Sequence, residues 1–192
     1  MPQDSEIIVV SGLPRSGTSL MMQMLDRGGI PAVTDHARTA DEDNPRGYYE
    51  FEAVKRTKQD ASWLPEARGK AVKLVSSLLY DLPATETYRI LFMQRDLEEV
   101  LESQEKMLAR LGKPAAPRDR MHSAFRVHLD RLYEWLPQQP HMQVQMVDYN
   151  RLLSDSPAEV SSIAKYLGGR ATAESMLSAI DPSLYRNRTT AS

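Results

Sequence analysis

The chain has 192 residues, with 24 Lys+Arg against 26 Asp+Glu, a formal net charge of −2, and 41% hydrophobic residues. That is ordinary composition for one globular domain and excludes a disordered, collagenous or coiled-coil chain. The near-neutral balance leaves no basic footprint for nucleic acid, and the absence of cysteine excludes disulfides and thiolate metal sites.

The longest clean apolar stretch, Ile7–Val10, is far short of the roughly 20 residues that span a bilayer. The N-terminus, MPQDSE, is acidic where a signal peptide is basic. The reading is one soluble, cytoplasmic domain over 1–192, with 1–5 and 187–192 as loose ends. The ten methionines read as core filler.

Glu6–Ser11 is a short continuous apolar run, the signature of a strand buried on both faces. Gly12–Gly17 is a turn signal; Thr18–Arg27 reads as a helix ended by Gly28–Gly29. Asp35–Gly47 is a polar loop, and Tyr49–Asp60 reads as helical. Ala71–Val75 and Tyr88–Gln94 are further strands. Leu97–Leu111 has helical apolar spacing, and Arg118–Leu136 carries Phe125, Leu129, Leu132 and Leu136 on one stripe. Met142–Val147 is a fourth strand, followed by a helix over Pro157–Leu167 that Gly168–Gly169 stops. Strands alternating with helices predict an α/β domain with a mostly parallel sheet. Ligands then gather beyond the carboxyl ends of the strands.

The strongest local signal is GLPRSGTS, Gly12 to Ser19. It follows a strand and opens a helix, as a phosphate-binding loop does. Gly12 and Gly17 let the backbone curl so that loop and helix amides face an oxyanion. Thr18 and Ser19 add hydroxyls, and Arg15 adds a fixed cation. Nucleotide triphosphatases place Lys after the second Gly; Thr18 stands there instead. The alternative is a tight turn with no ligand. Arg95 closes the third strand, and Asp96, Val100 and Ser103 follow it at successive spacings of 4 and 3 on the next helix. Ser103 therefore looks back toward the strand end. Arg95 and Ser103 together suit a dianionic phosphate. The competing reading pairs Arg95 with Asp96 or Glu99 as a weak surface bridge.

GLPRSGTS resembles the 5′-phosphosulfate loop of sulfotransferases that use 3′-phosphoadenosine 5′-phosphosulfate (PAPS). Three other segments match in order. ILFMQRDLEEVLES (90–103) is similar to the family's 3′-phosphate segment, and VDYNRLLSDSPAEVSSIAKYLGG (147–169) to its late strand, tyrosine and helix. DEDNPRGYYEFE (41–52) resembles a stretch common in bacterial members. The resemblance implies the sulfotransferase architecture, a P-loop-like α/β fold. It implies that Arg15 is catalytic, neutralising charge on the sulfuryl and bridging oxygens. Gly12, Pro14, Ser16, Gly17, Thr18 and Ser19 would cradle the 5′-phosphosulfate, Arg95 and Ser103 the 3′-phosphate, and Tyr149 the adenine. PAPS would leave as adenosine 3′,5′-bisphosphate, with no metal. Animal cytosolic members add a late Arg-Lys-Gly triplet that this chain lacks; Arg186 or Arg188 would have to substitute.

An acceptor hydroxyl or amine needs a base opposite the loop. Glu50 is the candidate, with Glu52 and His36 as alternatives; the bland reading of Glu50 is a helix N-terminal carboxylate. Lys73 is an accessory candidate or a snorkelling edge lysine. His122 and His128 read as packing or surface residues, and Trp63 and Trp135 as core or pocket walls. The acceptor is a small molecule, saccharide, lipid or protein side chain. Two other functions compete: a small kinase using ATP and Mg²⁺, against which Thr18 argues, and a catalytically inactive nucleotide-binding module.

Overall fold

The computed structural model describes residues 5–35 and 47–181. Four strands, β1 (Ile7–Gly12), β2 (Ala71–Val75), β3 (Tyr88–Gln94) and β4 (Met142–Asp148), form one sheet. Six helices accompany them: α1 (Thr18–Arg27), α2 (Leu97–Arg110), α3 (Arg118–Trp135), α4 (Tyr149–Ser154), α5 (Ser156–Tyr166) and α6 (Ala173–Leu177). The strand order is β2-β1-β3-β4 and every pairing is parallel. This is the expected single α/β domain.

The apolar run of β1 sits at the centre, buried along its whole length. Its side chains alternate between two cores. Ile8 and Val10 meet Met21, Met22, Met24 and Leu25 of α1 and Met176 of α6. Ile7 and Val9 meet Trp63, Phe92, Leu132 and Leu136 on the α3 side. The methionines fill the first core, where unbranched side chains adapt to the gap between helix and sheet. Trp63 is core, as one of its two readings held.

The edge strand β4 keeps Gln143 and Gln145 on its outer positions, in line with its partial exposure. The chain leaves β1 toward β2 on one side and returns as β3 on the other. This order reversal opens a crevice at the carboxyl ends of β1 and β3.

Two local expectations fail. Tyr49–Asp60 is not a helix: 47–51 has no regular secondary structure, and only Glu52–Arg56 forms a 3-10 turn. The cause is local. Tyr49 stands at φ +51, outside the helical region, and the Glu50 carbonyl accepts hydrogen bonds from the Asp35 amide at 3.2 Å and Thr34 Oγ1 at 3.0 Å. The Asp35 carboxylate then accepts from the Glu52 amide at 2.7 Å, which fixes where the turn starts. The second miss is α6, too short to announce itself. Its place comes from packing: Met176 lies against Gly28, and the Thr172 amide donates to the Gly28 carbonyl at 2.9 Å. Among the described residues no helix is long and apolar enough to cross a membrane. His36, Arg186 and Arg188 lie outside the described residues, and so do the expected loose ends 1–5 and 187–192 except for Ser5.

Candidate functional site

The turn between β1 and α1 is built from unusual backbone. Gly12 has φ +153, Arg15 +70 and Gly17 +99. Left-handed backbone costs a non-glycine residue about 1–2 kcal/mol, so Arg15 is held there by its surroundings. The glycines have packing reasons as well. A Cβ on Gly12 would stand 2.4 Å from Ser16 Oγ and 2.7 Å from the Met93 carbonyl oxygen; one on Gly17 would stand 2.3 Å from Tyr149 Cδ2. Gly17 also caps α1, yet no side chain caps that helix and its first turn holds no acid. The first amides of α1 therefore keep their pull on an anion.

Ser16 works inward. Its hydroxyl donates to the Leu13 carbonyl at 2.7 Å and its amide to the same oxygen at 3.2 Å. It shapes the turn from inside, while Pro14 is exposed at the tip and Thr18 opens α1.

Arg95 follows β3 and crosses to this turn. Its Nη1 donates to the Arg15 carbonyl at 3.1 Å and its Nε to Glu99 Oε2 at 2.9 Å. The pair with Glu99 does form, but it is no surface bridge: the two side chains are 7% and 1% exposed. The Arg95 guanidinium lies over the Tyr149 ring, 4.6 Å from its centroid. Burial pushes the Tyr149 phenol above its ordinary pKa, with Arg95 pulling the other way, so the ring is neutral at physiological pH. Arg15 Nε donates to Ser103 Oγ at 3.0 Å. The structure thus brings Arg15, Gly17, Arg95, Ser103 and Tyr149 into one cluster at the β1–β3 crevice.

The far side of α1 carries Lys73. It sits in β2 opposite Val10, donates to Ser19 Oγ at 3.4 Å and bonds the Tyr48 carbonyl. Lys73 is therefore tied to the start of α1 rather than snorkelling at an edge, and it moors the 48–50 segment there. Glu50 is part-buried in that segment. It precedes the Glu52–Arg56 turn, so it is not a helix-capping carboxylate. Glu52 is engaged by Lys55.

Asp96 and Asp148, the acids that close β3 and β4, are helix caps. Asp96 Oδ1 accepts from the amides of Glu98 and Glu99, and Asp148 Oδ1 from those of Asn150 and Arg151. Among the described residues no group of three or more His, Asp or Glu side chains is placed to hold a metal ion.

His128 is a packing residue: its Nε2 lies 2.8 Å from Ser76 Oγ, and burial pulls its pKa down. Trp135 and Tyr80 pair at 4.6 Å beside it, on a shallow cleft along α3. Sequence reasoning missed Asn150, whose Nδ2 donates to Glu99 Oε1 at 3.1 Å. It also weighed Glu99 only as a surface partner. The spacing of four between Arg95 and Glu99 was the available signal.

The model of the Sulfotransferase domain family matches residues 5–188, so the chain belongs to that family. The chain is similar in fold to the sulfotransferase domain of the Synechococcus PCC 7002 olefin synthase: 15% identity, 93% of this chain and 85% of that chain covered, TM-score 0.59. It is similar also to the sulfotransferase domain from the curacin biosynthetic pathway: 16% identity, 97% and 78% covered, TM-score 0.53. No curated protein matches in sequence.

Proposed function

We propose that the protein transfers the sulfuryl group of PAPS to a hydroxyl or amine acceptor. The observation that carries the reading is the convergence of Arg15, Arg95 and Ser103 beside the uncapped start of α1. Two guanidinium groups and a bare helix start suit a nucleotide with phosphate at both its 5′ and 3′ ends. PAPS, when bound, supplies an already activated sulfuryl group, so the protein's work is to hold the donor, stabilise developing charge and accept a proton.

The residues divide these tasks. The turn amides and Thr18 hold the sulfated 5′ end, with Ser16 keeping the turn's shape. Arg95 and Ser103 hold the 3′-phosphate, and the neutral Tyr149 ring offers a flat face for the adenine. Arg15 neutralises charge at the sulfuryl oxygens. Lys73 keeps Ser19 and the 48–50 segment together. Glu50 takes the acceptor's proton, its segment being moored to the start of α1 by Lys73. The acceptor is a small molecule, saccharide, lipid or exposed side chain of a protein; the site acts on soluble donor in a cytoplasmic setting.

Adenosine 3′,5′-bisphosphate should raise the melting temperature in the absence of Mg²⁺, and ATP should do so poorly. A shift with ATP and Mg²⁺ but none with the bisphosphate would establish the kinase reading instead. Glu50→Gln should lower turnover by about 10²-fold or more while leaving donor affinity near wild type; loss of stability with unchanged turnover would remove Glu50 from the chemistry.

A further inference from the structure

Among the described residues Glu99 is the most deeply buried carboxylate. Its two oxygens serve two different elements. Oε2 accepts from Arg95 Nε at 2.9 Å, and Oε1 accepts from Asn150 Nδ2 at 3.1 Å. Each partner leads to the glycine-bounded turn. Arg95 grips the Arg15 carbonyl, where the backbone is left-handed. Asn150 adjoins Tyr149, whose ring fills the space over Gly17. One carboxylate on α2 therefore stands behind both left-handed positions of the turn.

Charge compensation alone does not account for this arrangement. A carboxylate present only to neutralise Arg95 can place both oxygens on its guanidinium fork, whereas here one oxygen turns to Asn150 instead. Such a carboxylate would also weaken the pull of Arg95 on an incoming anion. Burying a carboxylate costs several kcal/mol unless its partners are well aligned, and here both oxygens are aligned on groups that shape the same turn.

We propose that Glu99 is a positioning residue: through Arg95 it fixes Arg15, and through Asn150 it fixes Tyr149 against Gly17, so that the turn is held ready for its anion. The effect on donor binding rests on the PAPS reading above; the effect on the turn's shape does not.

Two measurements on Glu99→Ala and Glu99→Gln test it, with Glu102→Ala on the exposed face of α2 as control. The first is amide hydrogen exchange. In Glu99→Ala, exchange over residues 13–18 should rise at least about tenfold while β3 keeps its protection; Glu102→Ala should change neither. The second is affinity for adenosine 3′,5′-bisphosphate and for adenosine 5′-phosphate. Both should weaken about tenfold in Glu99→Ala, as when outer partners of a ligating group are removed, and less in the isosteric Glu99→Gln. A charge-compensating role predicts the opposite sign: tighter bisphosphate binding, unchanged monophosphate binding and wild-type exchange in the turn. That result overturns the proposal. Should Glu99→Ala fail to fold, Glu99→Gln and Asn150→Ala carry the same exchange test, with faster exchange over 13–18 expected in both and wild-type exchange refuting it. Should wild type bind neither nucleotide, the donor reading falls, and the exchange data alone decide for or against Glu99.

Discussion

Three helices begin at the carboxyl edge of the sheet, and they begin in two different ways. α2 and α4 each start on an aspartate that closes the preceding strand and accepts two amides of the first turn. α1 starts on Gly17 with no side-chain cap and no acid in its first turn. All three have the same orphan amides and the same dipole. At α2 and α4 the protein's own carboxylate satisfies those groups and repels a second anion. At α1 no side chain takes them, and the cations beside them are Arg15, Arg95, which bonds the Arg15 carbonyl, and Lys73, which bonds Ser19. On the proposed function, this helix start serves as an anion site because an acid is missing from it, and the flanking guanidiniums then choose what kind of anion.

The largest break in that comparison removes the cation. Arg15→Ala should cut sulfuryl transfer by about 10²–10³-fold with the thermal midpoint close to wild type; retained turnover would take Arg15 out of the chemistry. Next, Thr18→Asp would put an acid into the first turn of α1, one residue inside its Gly17 cap. It should raise the melting temperature slightly, as an acid in the first turn contributes about 0.3–1 kcal/mol, and weaken adenosine 3′,5′-bisphosphate binding at least about tenfold. Stability and affinity moving together would contradict the account. Third, Asp96→Ala should cost about 1 kcal/mol in urea unfolding through the lost cap, whereas Thr18→Ala should cost almost nothing. Equal losses would erase the difference between the helix starts.

The smallest effect concerns acid, at the opposite edge of the sheet. Glu6 accepts from Arg89 and Arg170, and the Arg89 bond leads in holding its carboxyl below the ordinary range. A depressed folded pKa stabilises fully above the unfolded value of about 4.5 and is lost as pH falls through the folded value. Glu6→Gln should therefore flatten the pH dependence of unfolding below that point. An unchanged slope would show that the two arginines do not hold Glu6 in solution.

The sheet was legible because its strands are short, apolar and separated by helical spacing. The Arg15 turn was legible because two glycines, an arginine and two hydroxyl residues follow β1 directly. What stayed hidden depends on contacts between distant segments. The expected helix is broken at Tyr49 and by the Glu50 carbonyl, which accepts from Thr34 and Asp35, and no local pattern encodes that contact. Glu99 looked like an ordinary surface acid because its spacing on α2 says nothing about Asn150 of α4, which meets it from a distant segment. Asp96 and Asp148 stand at strand ends in the sequence, yet only the structure shows that backbone amides occupy them.

The seat of Tyr149 on Gly17 has a consequence for descent. A Cβ at position 17 would stand 2.3 Å from Cδ2 of the ring, so position 17 cannot change while the tyrosine stays in place. A lineage that trades Gly17 for alanine must first shrink the ring at 149, and in doing so uncovers the guanidinium face of Arg95. The two sites should therefore be inherited as a pair, and paired replacement across relatives would mark branches that changed what they stack against that arginine.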